Sequence, residues 1–253
     1  MSNKVNRALV AKKKVFFIAT VAALLIGCQT KPITSIECES IAIDSSMDAI
    51  ADTAYSQFLQ PVIEQLDAQI GQVIAYAPQP LTKGQPECTV LNWATDALLA
   101  KARQYYPGTV DIAIVNIGGM RTEWAAGDIT LRHIYELMPF DNRLVVLTLK
   151  GEDILELSQI FVVDGGQGIA NMTIIGEDKQ LAEARIGGQP IDPEAYYHVA
   201  TSDYLSGGTD HMVPLTRHIE MWNSGLIIRD LYIEYAKEQK TIVAKIDGRT
   251  QIN

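Results

Sequence analysis

Three glycine-punctuated turns hold the side chains in this sequence best equipped for ligand chemistry. Asn116-Ile117-Gly118-Gly119-Met120-Arg121 supplies a guanidinium. Met138-Pro139-Phe140-Asp141-Asn142 supplies an aromatic ring and a side-chain amide. Asp203-Tyr204-Leu205-Ser206-Gly207-Gly208-Thr209-Asp210 supplies another ring and a carboxylate. Such a set suits a nucleoside. A flat base sits between two rings, and stacking one base on an aromatic contributes about 1–3 kcal/mol in single-strand recognition. A carboxylate accepts from ribose hydroxyls, and an arginine grips a phosphate in fork geometry. Glycines let backbone approach a ligand closely. Each turn alone also has a plainer reading. Phe140, after a proline, fits a core aromatic; Arg121 beside Glu123 or Asp128 fits a surface ion pair worth about 0–1 kcal/mol. The weight lies in their coincidence. No Ser/His/Asp order and no metal-ligand spacing accompanies them, and Asp210, His211 and His218 are too scattered to read as a metal site.

The elements that must carry these turns are readable in outline. Apolar residues at 47, 50, 51, 54, 55, 58, 59, 62, 63, 66 and 70 predict a helix over 47–70, capped by Ser45 or Ser46 and kinked or split at Pro61. A second helix is predicted over 90–105, ending at Pro107-Gly108. Strands are predicted over 111–115, 143–149, 172–175, 184–186 and 196–201, with a short helix over 151–161. A closing helix over 219–238 and a last strand over 242–246 complete the reading. Helices and strands mix without steady βα alternation, which points to an α+β fold with a mixed sheet.

From about Ile70 to Asp210 the chain resembles the C-terminal domain of the 5′-nucleotidases. Four separated motifs carry the resemblance: Asp111 through Arg121, Gly127-Asp128-Ile129-Thr130, Pro139-Phe140-Asp141-Asn142, and Tyr204 through Asp210. In that family this domain holds the nucleoside, while a separate metallophosphatase domain holds two metals and hydrolyses the ester. The resemblance implies that Phe140 and Tyr204 sandwich the base and that Arg121 reaches the phosphate. It implies that Asn142 contacts the base, that Asp210 meets the ribose, and that Gly168, within Gly165-Gly166-Gln167-Gly168, lines the pocket by its backbone. Three departures stand out. The residues before Ile70 contain no histidine, and the family's Asp-x-His and Asn-His-Glu metal signatures are missing. The segment Glu87 through Trp93 lacks the arginines usual there. The usual Gly-Gly-Asp-Gly reads Gly208-Thr209-Asp210-His211.

The first 27 residues differ from the rest. Lys4, Arg7, Lys12, Lys13 and Lys14 stand against no acid, and a run of 13 apolar or small residues, Val15 to Gly27, follows. A spanning helix needs about 20 residues, so the run reads as an export signal. Its end, Leu25-Ile26-Gly27-Cys28, resembles the lipobox of bacterial lipoproteins, which implies cleavage before Cys28 and acylation of that residue. The expected layout is a signal over 1–27, a tether over 28–44 and one domain over 45–253. By analogy with the sorting rule of enteric lipoproteins, Gln29 after the cysteine, with no Asp there, implies the outer membrane over the inner, on the periplasmic side. The whole chain carries a net charge of −9, and removal of the five positive residues lowers it to −14. Nucleic-acid binding calls for a basic stripe, so this charge argues against it. Cys38 and Cys88 remain. In an oxidising compartment they either bridge, stapling the entry segment to the domain, or stay as two thiols.

Two functions of different kinds follow as expectations. In one, the chain binds nucleotide and lends specificity to a separately encoded metallophosphatase that holds the divalent metals, this chain needing no cofactor of its own. In the other, it is a stand-alone nucleoside-binding lipoprotein with no enzymatic role.

Overall fold

The computed structural model describes residues 35–41 and 53–253. The basic leader, Cys28, the Ser45–Ser46 cap and the Met47 helix start lie outside these residues. The chain parts into two units, Met1–Ser56 and Gln57–Asn253. In the first, residues 35–41 are exposed and carry no regular structure.

The first described helix, α1 (Thr53–Ile70), runs unbroken through Pro61 and buries none of its residues. The carbonyl that a proline leaves unpaired lies four residues back, on Gln57, an exposed residue. After it come β1 (Val73–Ala77), α2 (Thr89–Tyr105), β2 (Ile112–Val115), β3 (Gly127–Thr130), α3 (Leu131–Leu137) and β4 (Arg143–Lys150). Next are α4 (Gly151–Val163), β5 (Gly168–Ala170), β6 (Met172–Glu177), β7 (Gln180–Ile186), β8 (Gln189–Pro190) and β9 (Tyr196–Ser202). The chain closes with α5 (Asp203–Ser206), β10 (Glu220–Ile227), α6 (Ile228–Gln239) and β11 (Thr250–Ile252).

A five-stranded sheet in the order β10-β4-β9-β2-β5 forms the middle layer. Only the β2–β9 pairing in it is parallel, so the sheet is mixed, as the α+β reading anticipates. Side chains alternate across each strand, and both faces are covered. Ala113, Val115, Leu144, Val146 and Ala200 join one apolar cluster with α2 and α6. Ile112, Ile114, Val145, Leu147 and Val199 join a second with α4 and the smaller sheet, which runs β11-β6-β7-β8. Burial on both faces is why these strands read as unbroken apolar runs in the sequence.

Two expected elements are corrected. The helix expected over 219–238 is an edge strand followed by a helix: β10 pairs with β4, and only from Ile228 does the chain coil. The strand irregularity between Asn223 and Ile227 surrounds Gly225, whose φ of 72° a helix interior does not permit. The strand expected over 242–246 is not formed. Ile242 instead packs into the first cluster, with its amide donating to the Tyr76 carbonyl at 2.8 Å. The last strand is β11, parallel to β6. Of the two cysteines described, Cys38 is exposed and Cys88 is enclosed in the first cluster, each as a free thiol.

Helices α2 and α6 are joined by an ion cluster around a buried lysine. Lys101, 1% exposed, donates to Glu234 at 2.9 Å and to Glu238 at 2.7 Å. Burial pulls the ammonium down, but hydrogen bonds to Glu238 and Glu234 outweigh it and leave the group above its usual range. The hydrogen bond from Lys101 holds the Glu234 carboxyl below its ordinary value. A depressed carboxyl stabilises the fold above its unfolded value, 4.5, and that contribution is lost as pH falls through the folded value. Lys101→Met is therefore expected to lower stability at pH 7 by roughly 1–3 kcal/mol, in the range of hydrogen bonds to charged groups. The deficit relative to wild type shrinks in urea titrations below pH 4.5.

Candidate functional site

The end of β2 delivers the first wall. Asn116 leaves the strand, and the one-turn helix Ile117–Gly119 follows. A Cβ on Gly119 would stand 2.6 Å from the Asn116 Oδ1, so glycine is what allows that amide to lie against the turn. The other end of the amide, Nδ2, donates to the Asp210 carboxylate. The Ile117 amide donates to Gln167 Oε1 at 2.8 Å, which ties the turn to the glycine loop 165–168. That loop is in turn held by Gln85, whose Nε2 donates to the Asp164 and Gly166 carbonyls, each at 2.9 Å.

Arg121 follows the turn. Its backbone amide donates to the Leu137 carbonyl at 2.8 Å, which sets it beside the end of α3. Its side chain is exposed, with Nη1 donating to the Gly118 carbonyl at 3.3 Å and the guanidinium 6.0 Å from the Phe140 ring centroid. The segment from Met138 to Asn142 joins α3 to β4 and carries Phe140. Across from it, α5 carries Tyr204. Asp203 Oδ1 accepts from the backbone amides of both Arg143 and Tyr204, at 2.9 Å each, and so couples the two segments that bear the rings. Tyr204 Oη donates to Asp210 Oδ1 at 3.3 Å. Asp210 and His211 both adopt left-handed backbone, with φ of 51° and 63°. This turns the carboxylate toward Asn116.

Asn116, Gly118, Gly119, Arg121, Phe140, Asn142, Tyr204 and Asp210 line one open cleft of about 260 Å³. That volume lies just below the range of about 300–1,000 Å³ typical of small-ligand sites, as suits a shallow cleft that covers a ligand on two sides. Five of the six residues singled out as candidate ligand contacts thus share one cavity. The sixth, Gly168, does not line it. Gly168 lies in β5 with its α-carbon toward α2: a Cβ there would stand 2.9 Å from both Thr95 Cγ2 and the Val115 carbonyl. Phe140 is 38% exposed and Tyr204 46%, so neither ring is a core side chain.

The matching family is the 5′-nucleotidase, C-terminal domain, over residues 69–217. The chain belongs to that family. Protein UshA of Yersinia enterocolitica is 28% identical to this 5′-nucleotidase C-terminal domain over 211 residues, which is 81% of this chain and 37% of UshA. A 5′-nucleotidase of Vibrio cholerae is 22% identical over 86% of this chain and 40% of its own length. Among solved structures, a 5′-nucleotidase precursor from Thermus thermophilus superposes with a TM-score of 0.71 at 27% identity. That match covers 81% of this chain and 43% of that one. The NAD nucleotidase of Haemophilus influenzae shares the fold, with a TM-score of 0.63 at 18% identity. The chain spans less than half the length of the curated relatives named here.

Two residues of this 5′-nucleotidase C-terminal domain matter more than their sequence context suggests. Asn116, 8% exposed, is the partner that orients Asp210, and Gln167, 9% exposed, pins the turn that carries Asn116. The signal for Asn116 is local: an amide directly before a glycine pair at a strand end. Gln167 has no such signal, because its partner lies 50 positions away. His211 Nδ1 lies 3.3 Å from Asp164, while His218 Nδ1 faces the Leu215 carbonyl at 2.8 Å. Among the described residues no three His, Cys, Asp or Glu side chains gather as a metal-ligand group.

Proposed function

We propose that the cleft holds a nucleoside or nucleotide, with the base between Phe140 and Tyr204 and the ribose hydroxyls on Asp210. The observation that carries this reading is the pair of exposed rings facing one cavity beside an oriented carboxylate. Water does not favour leaving two large apolar faces uncovered, and a flat heteroaromatic ligand covers both. Asp210 receives one hydrogen bond on each oxygen, from Asn116 and Tyr204, which fixes its direction and leaves lone pairs for sugar hydroxyls. Asn142 offers donor and acceptor to a base edge. Arg121 is the cation in the lining, and its exposed guanidinium meets a 5′-phosphate at the mouth.

On this reading the chain supplies substrate specificity in nucleotide breakdown, and a separate metallophosphatase polypeptide supplies the divalent metals and the hydrolysis. Export and acylation at Cys28 would tether the cleft to a bacterial membrane facing the periplasm, the outer membrane by the Gln29 criterion. A second reading, capture of nucleosides without any enzymatic role, draws on the single guanidinium in the cleft lining.

Calorimetric titration of the soluble protein beginning at Gln29 with adenosine and AMP tests the binding reading. Saturable heat with both is expected, and no heat with either nucleoside or nucleotide sinks it. Copurification with a phosphatase, and a gain of AMP hydrolysis on mixing, separate the subunit reading from the capture reading.

A further inference from the structure

The Phe140 wall of the cleft is held from behind by a residue that does not line it. Arg229 is the second residue of α6. Its side chain is only 12% exposed. Nη1 donates to the Phe140 carbonyl at 3.2 Å, and Nη2 donates to Asp141 Oδ1 at 2.6 Å. The guanidinium lies 4.5 Å from the centroid of the Tyr135 ring in α3. One residue earlier, the Ile228 amide donates to the Asn142 carbonyl at 2.9 Å. The first two residues of α6 therefore grip Phe140, Asp141 and Asn142 in turn.

Phe140 needs such a grip. Its ring is partly in water, so packing alone leaves it rotational freedom that a ligand would have to remove on binding. A hydrogen bond to its own carbonyl restricts the backbone that aims the ring. The arrangement has a cost of its own: Arg229 Nε is buried with no hydrogen-bond partner. The guanidinium's planar fork serves the loop and the Tyr135 face together, which a point charge cannot do.

We infer that Arg229 is a positioning residue for the aromatic wall, acting on the ligand only through Phe140. The ligand half of this inference rests on the nucleoside reading above; the positional half does not. Arg229→Met is expected to weaken adenosine binding roughly 3- to 10-fold, the size of coupling between neighbouring groups. In a Phe140→Ala background the same change is expected to have no further effect. An equal loss in both backgrounds overturns the inference.

A ligand-free measurement tests the position directly. Introducing Phe140→Trp places an indole in the cleft, while Trp93 and Trp124 are 2% exposed and Trp222 is half-buried, so wild type serves as the background to subtract. Adding Arg229→Met is expected to raise acrylamide quenching of the new indole and lower its anisotropy, at a circular-dichroism spectrum unchanged from the parent. Unchanged quenching and anisotropy overturn the inference. If Arg229→Met does not fold, Arg229→Lys, which keeps the charge and loses the fork, reads the same two signals. If adenosine fails to bind wild type, the nucleoside reading falls while the indole measurement still decides the role of Arg229.

Discussion

Phe140→Ala is expected to weaken adenosine binding by roughly 5- to 150-fold, the equivalent of about 1–3 kcal/mol of base stacking. The direction follows from exposure. The ring is 38% exposed and belongs to neither apolar cluster, so its removal takes little from the core. It takes one of the two faces that would cover the base. The melting temperature should therefore move little while the dissociation constant moves a great deal. Calorimetry and thermal unfolding on the same preparation check both. A large drop in melting temperature with unchanged affinity would mean that Phe140 is a structural residue and that the cleft is not a base site.

Arg121→Ala is expected to separate nucleotide from nucleoside. AMP should bind about 10- to 150-fold more weakly, the effect of losing a charge-assisted contact of about 1.5–3 kcal/mol. Adenosine should change by about fivefold at most, because the remaining link from Arg121 to the site is its contact with the Phe140 ring at 6.0 Å, worth about 0.5–1 kcal/mol at an exposed site. The side chain is free to turn toward a phosphate: its hydrogen bond to the Gly118 carbonyl is long, at 3.3 Å. Equal losses for AMP and adenosine would assign Arg121 to the architecture of the turn. No loss for either would leave the cleft a nucleoside site with no phosphate contact from this residue, which favours the capture reading over the subunit reading.

The two substitutions act on different parts of one ligand, and the distances between the groups decide how independent they are. The coupling that joins the ring-bearing segments runs through Asp203, which accepts from Arg143 and Tyr204 backbone amides, while α6 holds the Phe140 segment from behind. Arg121 follows the Asn116–Gly119 turn held by Gln167, and its amide bonds the Leu137 carbonyl at the end of α3. Changes at Arg121 should therefore combine with changes at Tyr204 almost additively, whereas Arg121 and Phe140 are coupled by their contact.

Much of the site could be read from the chain alone, since its parts are local. A buried strand ending in Asn116-Ile117-Gly118-Gly119 is visible as an apolar run meeting glycines, and β2 ends where that pattern changes. Pro139-Phe140 and Tyr204 through Asp210 are likewise short segments bounded by turn residues. Helix α2 falls within one residue of its expected start, because its apolar periodicity is strong. The residues of β10 carry no such periodicity of their own making. Met221, Trp222, Leu226 and Ile227 satisfy a helical spacing about as well as a strand, and only pairing with Arg143–Thr148, far along the chain, resolves the choice.

What the amino-acid sequence determined by itself, then, is the α+β class, the three turns and five of the residues that line the cleft. Backbone chemistry sets these within a few residues of each other. The tertiary structure decided which of those residues face one another, and it removed Gly168 from the cavity by turning its α-carbon toward Thr95 and Leu91. It also added Asn116, Gln167 and Arg229, whose partners lie 94, 50 and 88 or 89 positions away. Contacts at that separation leave no local periodicity or turn signature, so they exist only once the sheet has brought the loops together.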